Sequence, residues 1–369
     1  MKPIQQNQFR KALLNWYRAQ KRNLPWRSTK DPYKILVSEV MLQQTQVRTV
    51  IPYYKKWMRE FGNLKKLAGA SLDKVLLLWE GMGYYSRARN LHQTAREIEK
   101  KYGGEVPRSF EILLTLPGIG TYTAGAVASI AYHERVPCVD ANVRRVLSRV
   151  YCLQPSSLTE KRLQKIALDL MGNAPPAEFN QALMEVGSLI CVAGNPRCDI
   201  CPLNKSCQAA LKGVQNQYPR KQKRKKIEEI KVALGIIIRH GNIFIQKRPS
   251  HGLFADLWEF PGGKIESGET PEGALIRELK EELGAKVKIL SKEKTIQHSY
   301  TRFRVKLHPF LCGINGTLSL KKKQSECRWI SIEDMNSFAF PAANRKVFQN
   351  LMKDKSFYEL LKKRKATPR

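Results

Sequence analysis

Apolar positions recur at helical spacing through the first part of the chain, as in Phe9, Leu13 and Trp16 and again in Leu72, Val75, Leu76 and Trp79. That period predicts helices burying one face. Gly81, Gly83, Pro107 and Pro117 punctuate the segments, and the helical pattern runs from residue 1 to about 212. From Val232 the pattern turns strand-like: VALGIII leads to NIFIQKR across a predicted turn at His240-Gly241-Asn242. Further strands are predicted near 286–312 and 327–331, with one helix at about 271–283. The chain thus reads as multidomain, an all-α domain over 1–212 followed by an α/β domain over 231–355. The stretch between them, 213–230, contains six basic residues among the seven from Arg220 to Lys226. It reads as an exposed linker, either a solvated tether or a strap along a polyanion. A basic tail runs from 356 to 369, and its part LKKRKATPR is expected to be disordered.

Composition sharpens this picture in one respect. The 369 residues suffice for two cores, and Lys and Arg total 65 against 32 Asp and Glu, a formal charge of +33. Such an excess suits a polyanionic partner, since each phosphate neutralised releases a condensed counterion. The N-terminal MKPIQQNQFRKAL has no apolar core of a secretory signal, and Val232–Ile238 is far too short to span a bilayer. The expected protein has no membrane partner and is a cytoplasmic, nucleoid-associated bacterial monomer. In such a compartment clustered cysteines point to metal rather than disulfides.

Three motifs carry chemistry in the first domain. LTLPGIGTYTAGAVAS (Leu114 to Ser129) reads as helix, Gly-rich hairpin, helix. Gly118 and Gly120 are expected to take positive φ and to let the backbone approach another chain, beside a helix N-terminus that favours phosphate. Asp140 follows Gly120 by twenty residues in VPCVDANVRRVLSRV, and Glu39 lies on a predicted helix beside Ile35, Leu36 and Leu42. Asp140 reads as an N-cap or a functional anion, Glu39 as a paired core carboxylate or a proton donor raised by desolvation. Breaking a glycosidic bond needs such a pair, an acid for the leaving group and an anion for the oxocarbenium-like sugar. Cys191, Cys198, Cys201 and Cys207 are spaced C-x6-C-x2-C-x5-C. The pattern is metal-binding and lacks the paired C-x2-C of a structural zinc, which favours iron–sulfur.

Together these features resemble the endonuclease III superfamily of helix-hairpin-helix base-excision glycosylases. Within it, PWR (Pro25 to Arg27), SEVMLQQTQV (Ser38 to Val47), WEGMGYYSRARNL (Trp79 to Leu91), VDANVRR and FNQALMEVGSLIC resemble MutY adenine glycosylases over nearly all of residues 5–210. The resemblance implies that Glu39 protonates adenine N7, Asp140 stabilises the C1′ cation, and Tyr122 and Asn142 support them. It implies an adenine pocket shaped by Trp26, Arg27, Leu42 and Gln181, with Gln44 and Tyr84 filling or wedging the base stack. It also implies a 4Fe–4S cluster on Cys191, Cys198, Cys201 and Cys207, structural and aiding DNA binding. The duplex partner would carry adenine opposite 8-oxoguanine or guanine. Nicking members of the superfamily carry a Schiff-base Lys where this chain has Tyr122, so a monofunctional enzyme is expected.

In the second domain, GKIESGETPEGALIRELKEELGA (residues 263–285) matches the full Nudix signature, with Gly263, Glu269, Arg277, Glu278, Glu281, Glu282 and Gly284 in place. Glu278, Glu281 and Glu282 share adjoining turns of one helix, a cluster of hard oxygens suited to Mg²⁺. The resembled family has a Nudix-like C-terminal domain that reads 8-oxoguanine, with its hydrolase box degraded. The intact box here raises a second reading, hydrolysis of an oxidised nucleoside triphosphate. The family's lesion loop has a Phe-Ser-His triplet; aligned on His298, this chain has Tyr300, Thr301 and Arg302. Tyr and Thr keep a ring and a hydroxyl, whereas a charged fork differs from an imidazole. A nicking glycosylase for oxidised pyrimidines is opposed by Tyr122 and by the second domain. A non-catalytic lesion binder is disfavoured because both carboxylates are present.

Overall fold

A computed structural model describes residues 3–220, 227–284, 286–300, 303–314, 326–355, 357–359 and 361. By backbone proximity the chain forms two compact units, Met1–Ala70 with Asn90–Arg224, and Ser71–Arg89 with Lys225–Arg369. Residues 221–226, the heart of the predicted basic linker, lie outside the described residues, as do Thr301, Arg302 and 362–369 of the tail. No helix among the described residues is long and apolar enough to cross a membrane.

The helices run α1 (Pro3–Gln20), α2 (Pro32–Leu42), α3 (Val47–Glu60), α4 (Leu64–Ala68), α5 (Leu72–Trp79), α6 (Ser86–Tyr102), α7 (Phe110–Leu114) and α8 (Thr121–Tyr132). They continue as α9 (Ala141–Tyr151), α10 (Glu160–Met171), α11 (Pro176–Leu189) and α12 (Gln208–Leu211). In the first unit α8 packs on α2 and α11, and α11 on α1 and α9. Small residues make this possible: Ala124, Gly125, Ala126 and Ala128 of α8 are buried. A side chain at Gly125 would stand 3.0 Å from Pro137 O. Helix α2 starts where Asp31 accepts from Tyr33 N at 2.9 Å, with Pro32 at its first position, a strong start signal. It is buried at Tyr33 and from Ile35 to Met41, so a polar group between Ile35 and Met41 is held among apolar neighbours. A second cluster, Phe9, Leu13, Val143, Leu147, Phe179 and Val186 among its members, packs α1, α9 and α11 together.

The second unit is a mixed sheet between two helices. Its strands are β1 (Glu228–Arg239), β2 (Asn242–Lys247), β3 (Trp258–Glu259), β4 (Gly262–Lys264), β5 (Val287–Lys292), β6 (Ile296–Ser299), β7 (Phe303–Ile314) and β8 (Cys327–Ile330). The main path is β3-β2-β1-β7-β5, with β1 and β7 parallel and the other pairs antiparallel. Period-two alternation sends Ala233 and Ile237 of β1 to one face and Leu234, Ile236 and Ile238 to the other. Helix α13 (Pro271–Leu283) covers the first face with Ala274, Leu275, Leu279 and Leu283. Helix α14 (Ala342–Leu351) covers the second with Ala343, Val347, Phe348 and Leu351. The predicted turn after β1 is a two-residue hairpin, His240 and Gly241 at φ +49° and +74°, both left-handed as the strand twist requires. Phe357, within the expected basic tail, and Leu361, the first residue of the part expected to be disordered, are both buried in the α14-side core.

Candidate functional site

One cavity of about 1000 Å³ opens in the first unit. Trp26, Arg27, Glu39, Leu42, Gln44, Gly118, Gly120, Tyr122, Asp140, Asn142 and Gln181 all line it. Sequence positions more than 150 residues apart are thus brought together by α2, the α7–α8 hairpin, the start of α9 and α11.

Glu39 projects from the buried stretch of α2 and is only 5% exposed. The Tyr122 hydroxyl donates to its Oε2. Burial raises its carboxyl to about 7, aided by the nearby Asp140 charge and opposed by the Tyr122 hydrogen bond and by Arg27. Near neutral pH this carboxyl therefore holds its proton about half the time. Tyr122, partly buried in the cavity wall and beside two carboxylates, is pushed far above its ordinary value by burial and by those charges, and stays neutral.

Asp140 is the N-cap of α9 and also lines the cavity. It caps α9 by accepting from Val143 N at 2.7 Å, and its other oxygen accepts from Asn142 Nδ2 at 2.7 Å. Burial pushes its carboxyl up, while the bonds from Val143 and Asn142 and the charge of Arg145 pull it down. Asn142 is itself held: its Oδ1 accepts from Arg145 Nη2 at 2.8 Å. Arg145 also donates through Nε to Cys191 O at 2.7 Å and through Nη2 to Gly187 O at 2.8 Å.

The cavity wall holds a charged network that sequence reasoning missed. Glu185 accepts from Arg27 Nη1 and Nη2 at 2.8 and 2.7 Å, and from Arg22 Nε and Nη2 at 2.9 and 2.6 Å. Despite burial, which opposes ionisation, the bonds from Arg22 and Arg27 hold its carboxyl at about 2. The available signal was its position four residues after Gln181, on the same face of α11. Gln181 is fixed at both ends, accepting from Tyr17 OH at 3.1 Å and donating to Ala177 O at 3.1 Å. Trp26 packs edge-on to Tyr54, with ring centroids 5.3 Å apart.

The hairpin between α7 and α8 is partly as expected. Gly118 has φ +71°, and a side chain there would meet Asn90 at 2.4 Å. Gly120, expected to be left-handed too, has φ −95° and open space around it. It sits at the N-cap of α8, where extended backbone suits any residue. Gln44, exposed at the cavity rim, is a non-glycine residue at φ +56°, an unfavourable conformation retained only where the surroundings hold it.

Cys191, Cys198, Cys201 and Cys207 line one further pocket with apolar Val186, Ile190 and neighbours. Arg149, itself buried, donates through Nη1 to Cys191 Sγ at 3.2 Å and to Val192 O at 2.7 Å. Among the described residues no three Cys, His, Asp or Glu side chains converge as a single-ion site.

Tyr84 and Tyr300 belong to the second unit. Tyr84 is 37% exposed at φ +49°. Tyr300 is half-buried in an aromatic cluster, its ring centroid 4.9 Å from Phe254, 4.8 Å from Phe303 and 4.6 Å from His298. Thr301 and Arg302 fall outside the described residues. In the acidic helix, Arg277 donates to Glu269 at 2.9 and 3.0 Å and to Glu278 at 3.0 Å, and stands 3.7 Å from Glu281. Glu282 points inward, accepting from Gln246 Nε2 at 3.1 Å and Gly262 N at 3.3 Å; burial and the Glu259 charge raise it to about 7.

Comparison with known proteins follows this division. Residues 37–168 match the HhH-GPD superfamily of base excision DNA repair proteins, and residues 233–350 match the NUDIX domain. The chain is 35% identical over 354 residues to an adenine DNA glycosylase of Buchnera aphidicola, covering 94% of this chain and 98% of that protein. It is also 35% identical over 400 residues to the adenine DNA glycosylase of Homo sapiens, covering 92% of this chain and 73% of that protein. Among solved structures, a thermostable thymine-DNA glycosylase aligns at 30% identity and TM-score 0.53, over 57% of this chain and 98% of its own. A trapped endonuclease III–DNA covalent intermediate aligns at 23% identity and TM-score 0.51, over 58% and 99%, a likeness of fold.

Proposed function

The chain belongs to the adenine DNA glycosylases of base excision repair, and we propose that it excises adenine opposite 8-oxoguanine or guanine in duplex DNA with Glu39 as acid and Asp140 as electrostatic partner. The observation that carries this reading is a buried, protonatable Glu39 sharing one cavity with Asp140. Extruding a base costs a few kcal/mol, least at a mismatch. A cavity bounded by Trp26, Leu42 and Gln181 is large enough for the extruded purine.

Glu39 gives its proton to adenine N7. The C1′–N9 bond then breaks with its electron pair going to the base, and the sugar becomes oxocarbenium-like. Asp140, held in place by Asn142 and Val143 N, faces that positive charge as the carboxylate. Water adds at C1′ and loses a proton, leaving an abasic sugar and neutral adenine. Tyr122 holds the Glu39 carboxyl by its hydroxyl and has no amine for a Schiff base, so the strand stays intact. Arg27 is engaged by Glu185 and shapes the pocket wall rather than acting as a free cation. Gln44 and Tyr84, at strained backbone positions, are the groups we assign to filling or wedging the base stack, with Tyr300, Thr301 and Arg302 facing the lesion base.

The four cysteines fit a 4Fe–4S cluster: all line one largely apolar pocket with a buried arginine donating to a sulfur. Cys191, Cys198, Cys201 and Cys207 would hold it, and it would supply a structural staple for the loop between α11 and α12. In the Nudix-like region, Glu278 and Glu281 are engaged by Arg277. The completeness of that box supports a second reading, hydrolysis of an oxidised nucleoside triphosphate, tested by incubation with Mg²⁺ and 8-oxo-dGTP.

The primary test is single-turnover cleavage of duplexes with adenine opposite 8-oxoguanine or guanine, with alkali added afterwards. Strand breaks only after alkali, lost in Glu39→Gln, are the expected result. No cleavage of either duplex by cluster-loaded protein overturns the reading.

A further inference from the structure

The stretch Ser71–Arg89, which carries Tyr84, packs with the Nudix-like region by backbone proximity. Its contacts are specific. Glu80 accepts from Arg345 Nε at 2.8 Å and Nη2 at 2.9 Å, and from Phe340 N at 3.1 Å. The two charged side chains are only 14% and 18% exposed. Tyr85 OH donates to Phe340 O at 3.3 Å, and Lys247 pairs with Asp73 at 2.7 Å. Arg89 donates to Ala255 O at 2.8 Å and stands 3.6 Å from Asp256.

Between Glu80 and Tyr85 lies a turn of unusual backbone: Gly81, Gly83 and Tyr84 have φ +93°, +74° and +49°. Trp79 Nε1 and Arg87 Nη2 donate to Gly83 O at 3.1 and 3.0 Å, and the Arg87 guanidinium lies 5.6 Å from the Tyr84 ring centroid. A left-handed tyrosine strains the backbone and persists only where neighbours over-determine it. The neighbours that do so on the side of Glu80 and Tyr85 are Arg345 and Phe340. The same pieces hold Tyr300: its hydroxyl accepts from Ala343 N at 3.4 Å on α14, and its ring packs on Phe254, next to the Ala255 that Arg89 engages.

We propose that Glu80 and Arg345 are positioning residues that fix the Tyr84 turn on the scaffold carrying Tyr300, so that lesion selectivity depends on this buried ion pair. The inference rests on the glycosylase reading above, in which Tyr84 meets the base stack. It differs from that reading in assigning the setting of Tyr84 to residues that touch no DNA.

The test uses the full-length, cluster-loaded chain and the ratio of single-turnover rates for adenine opposite 8-oxoguanine and opposite guanine. Glu80→Gln keeps shape and an acceptor for Phe340 N but removes the charge; it should lower the ratio about tenfold. Arg345→Lys, which keeps charge and loses the fork, should do the same, and thermal unfolding of both identifies a variant that fails to fold. A structural role alone would add its effect to any other variant. A role exerted through Tyr84 would not, so Glu80→Gln should cost nothing further in a Tyr84→Ala background. Independent, additive losses, or an unchanged ratio in both folded variants, overturn the proposal. Absence of adenine excision by the unaltered protein would instead overturn the reading beneath it.

Discussion

Arg145 joins Asn142 to the cysteine loop: it donates to Asn142 Oδ1 at 2.8 Å and to the backbone carbonyl of Cys191 at 2.7 Å. Asn142 in turn donates to Asp140 Oδ2 at 2.7 Å. The aim of the Asp140 carboxylate is therefore set through one guanidinium anchored on the first cysteine. Arg145→Gln keeps a donor but cannot reach both partners. It should slow single-turnover excision by about 100-fold, the cost of a small misplacement of a reacting group. Circular dichroism should show the helical content retained. A rate unchanged within twofold would mean that Asp140 is aimed by its cap alone.

This relationship marks where the sequence stops being informative. Helical and strand periods located both units, because each element buries one face against a core that has the same period. The cavity residues were legible mainly through the family resemblance: Glu39 and Asp140 alone also read as a core carboxylate and an N-cap, and Tyr122 stands out only by its place in the family's motif. The links among them were not legible. Arg145 and Glu185 look like solvated helix charges in the sequence; the approach of α9 to α11 brings Arg145 to Gly187 O and Cys191 O, and the packing of α1 on α11 brings Arg22 and Arg27 to Glu185. Gly120 was misassigned because its φ is set by the N-cap of α8 and not by residue type. The attachment of Ser71–Arg89 to the second unit is non-local and leaves no period or motif behind.

The protonation of Glu39 makes activity and stability oppose one another with pH. Its folded value of about 7 lies above the ordinary 4.5 because of burial. As the proposed acid it acts only when protonated, so the excision rate should fall with rising pH above about 7, and it should fall again in acid where Asp140 takes up a proton. For stability, the native state binds the proton more tightly than the unfolded chain between those two values. Stability is then highest below the unfolded value and declines by up to about 3 kcal/mol as pH rises through the folded one. Glu39→Gln removes both effects: excision is lost, and denaturant unfolding at pH 8 should show a variant more stable than the parent. Equal stability of the two proteins at pH 8 would contradict a raised Glu39.

Glu185 works in the opposite sense. Its carboxyl is held at about 2 by Arg22 and Arg27, below the ordinary 4.5. A depressed value contributes stability that is complete above the unfolded value and is lost as pH falls through the folded one. Acid unfolding of the parent should therefore be steep between about pH 4.5 and 2, with roughly 3 kcal/mol at stake. Glu185→Gln flattens that segment and, by leaving the largely buried Arg27 and the partly exposed Arg22 without an anion, destabilises the fold at pH 7 by about 3 kcal/mol. Urea titrations across this pH range read both effects. Parallel stability curves for parent and variant would show that the network is worth no more than a surface pair.

Gly118 and Gly120 separate two reasons for a glycine within one hairpin. At Gly118 a side chain faces both a left-handed backbone, φ +71°, and the Asn90 side chain at 2.4 Å. The contact includes Asn90 Cβ at 2.5 Å, which a rotamer change cannot move. Gly118→Ala should thus cost about 1–3 kcal/mol. Adding Asn90→Ala leaves Cβ in place, so it relieves little of that cost. Gly120 has open space and an extended backbone at the N-cap of α8, and Gly120→Ala should change stability by less than about 1 kcal/mol. Duplex binding extends the contrast. A hairpin displaced at Gly118 presents its backbone N–H groups to phosphate at the wrong angle, whereas the Gly120 variant keeps them in place. Gly118→Ala should therefore weaken binding to a non-cleavable duplex at fixed salt more than Gly120→Ala does. Equal losses of stability and affinity in the two variants would refute the assignment of the tight backbone position to Gly118.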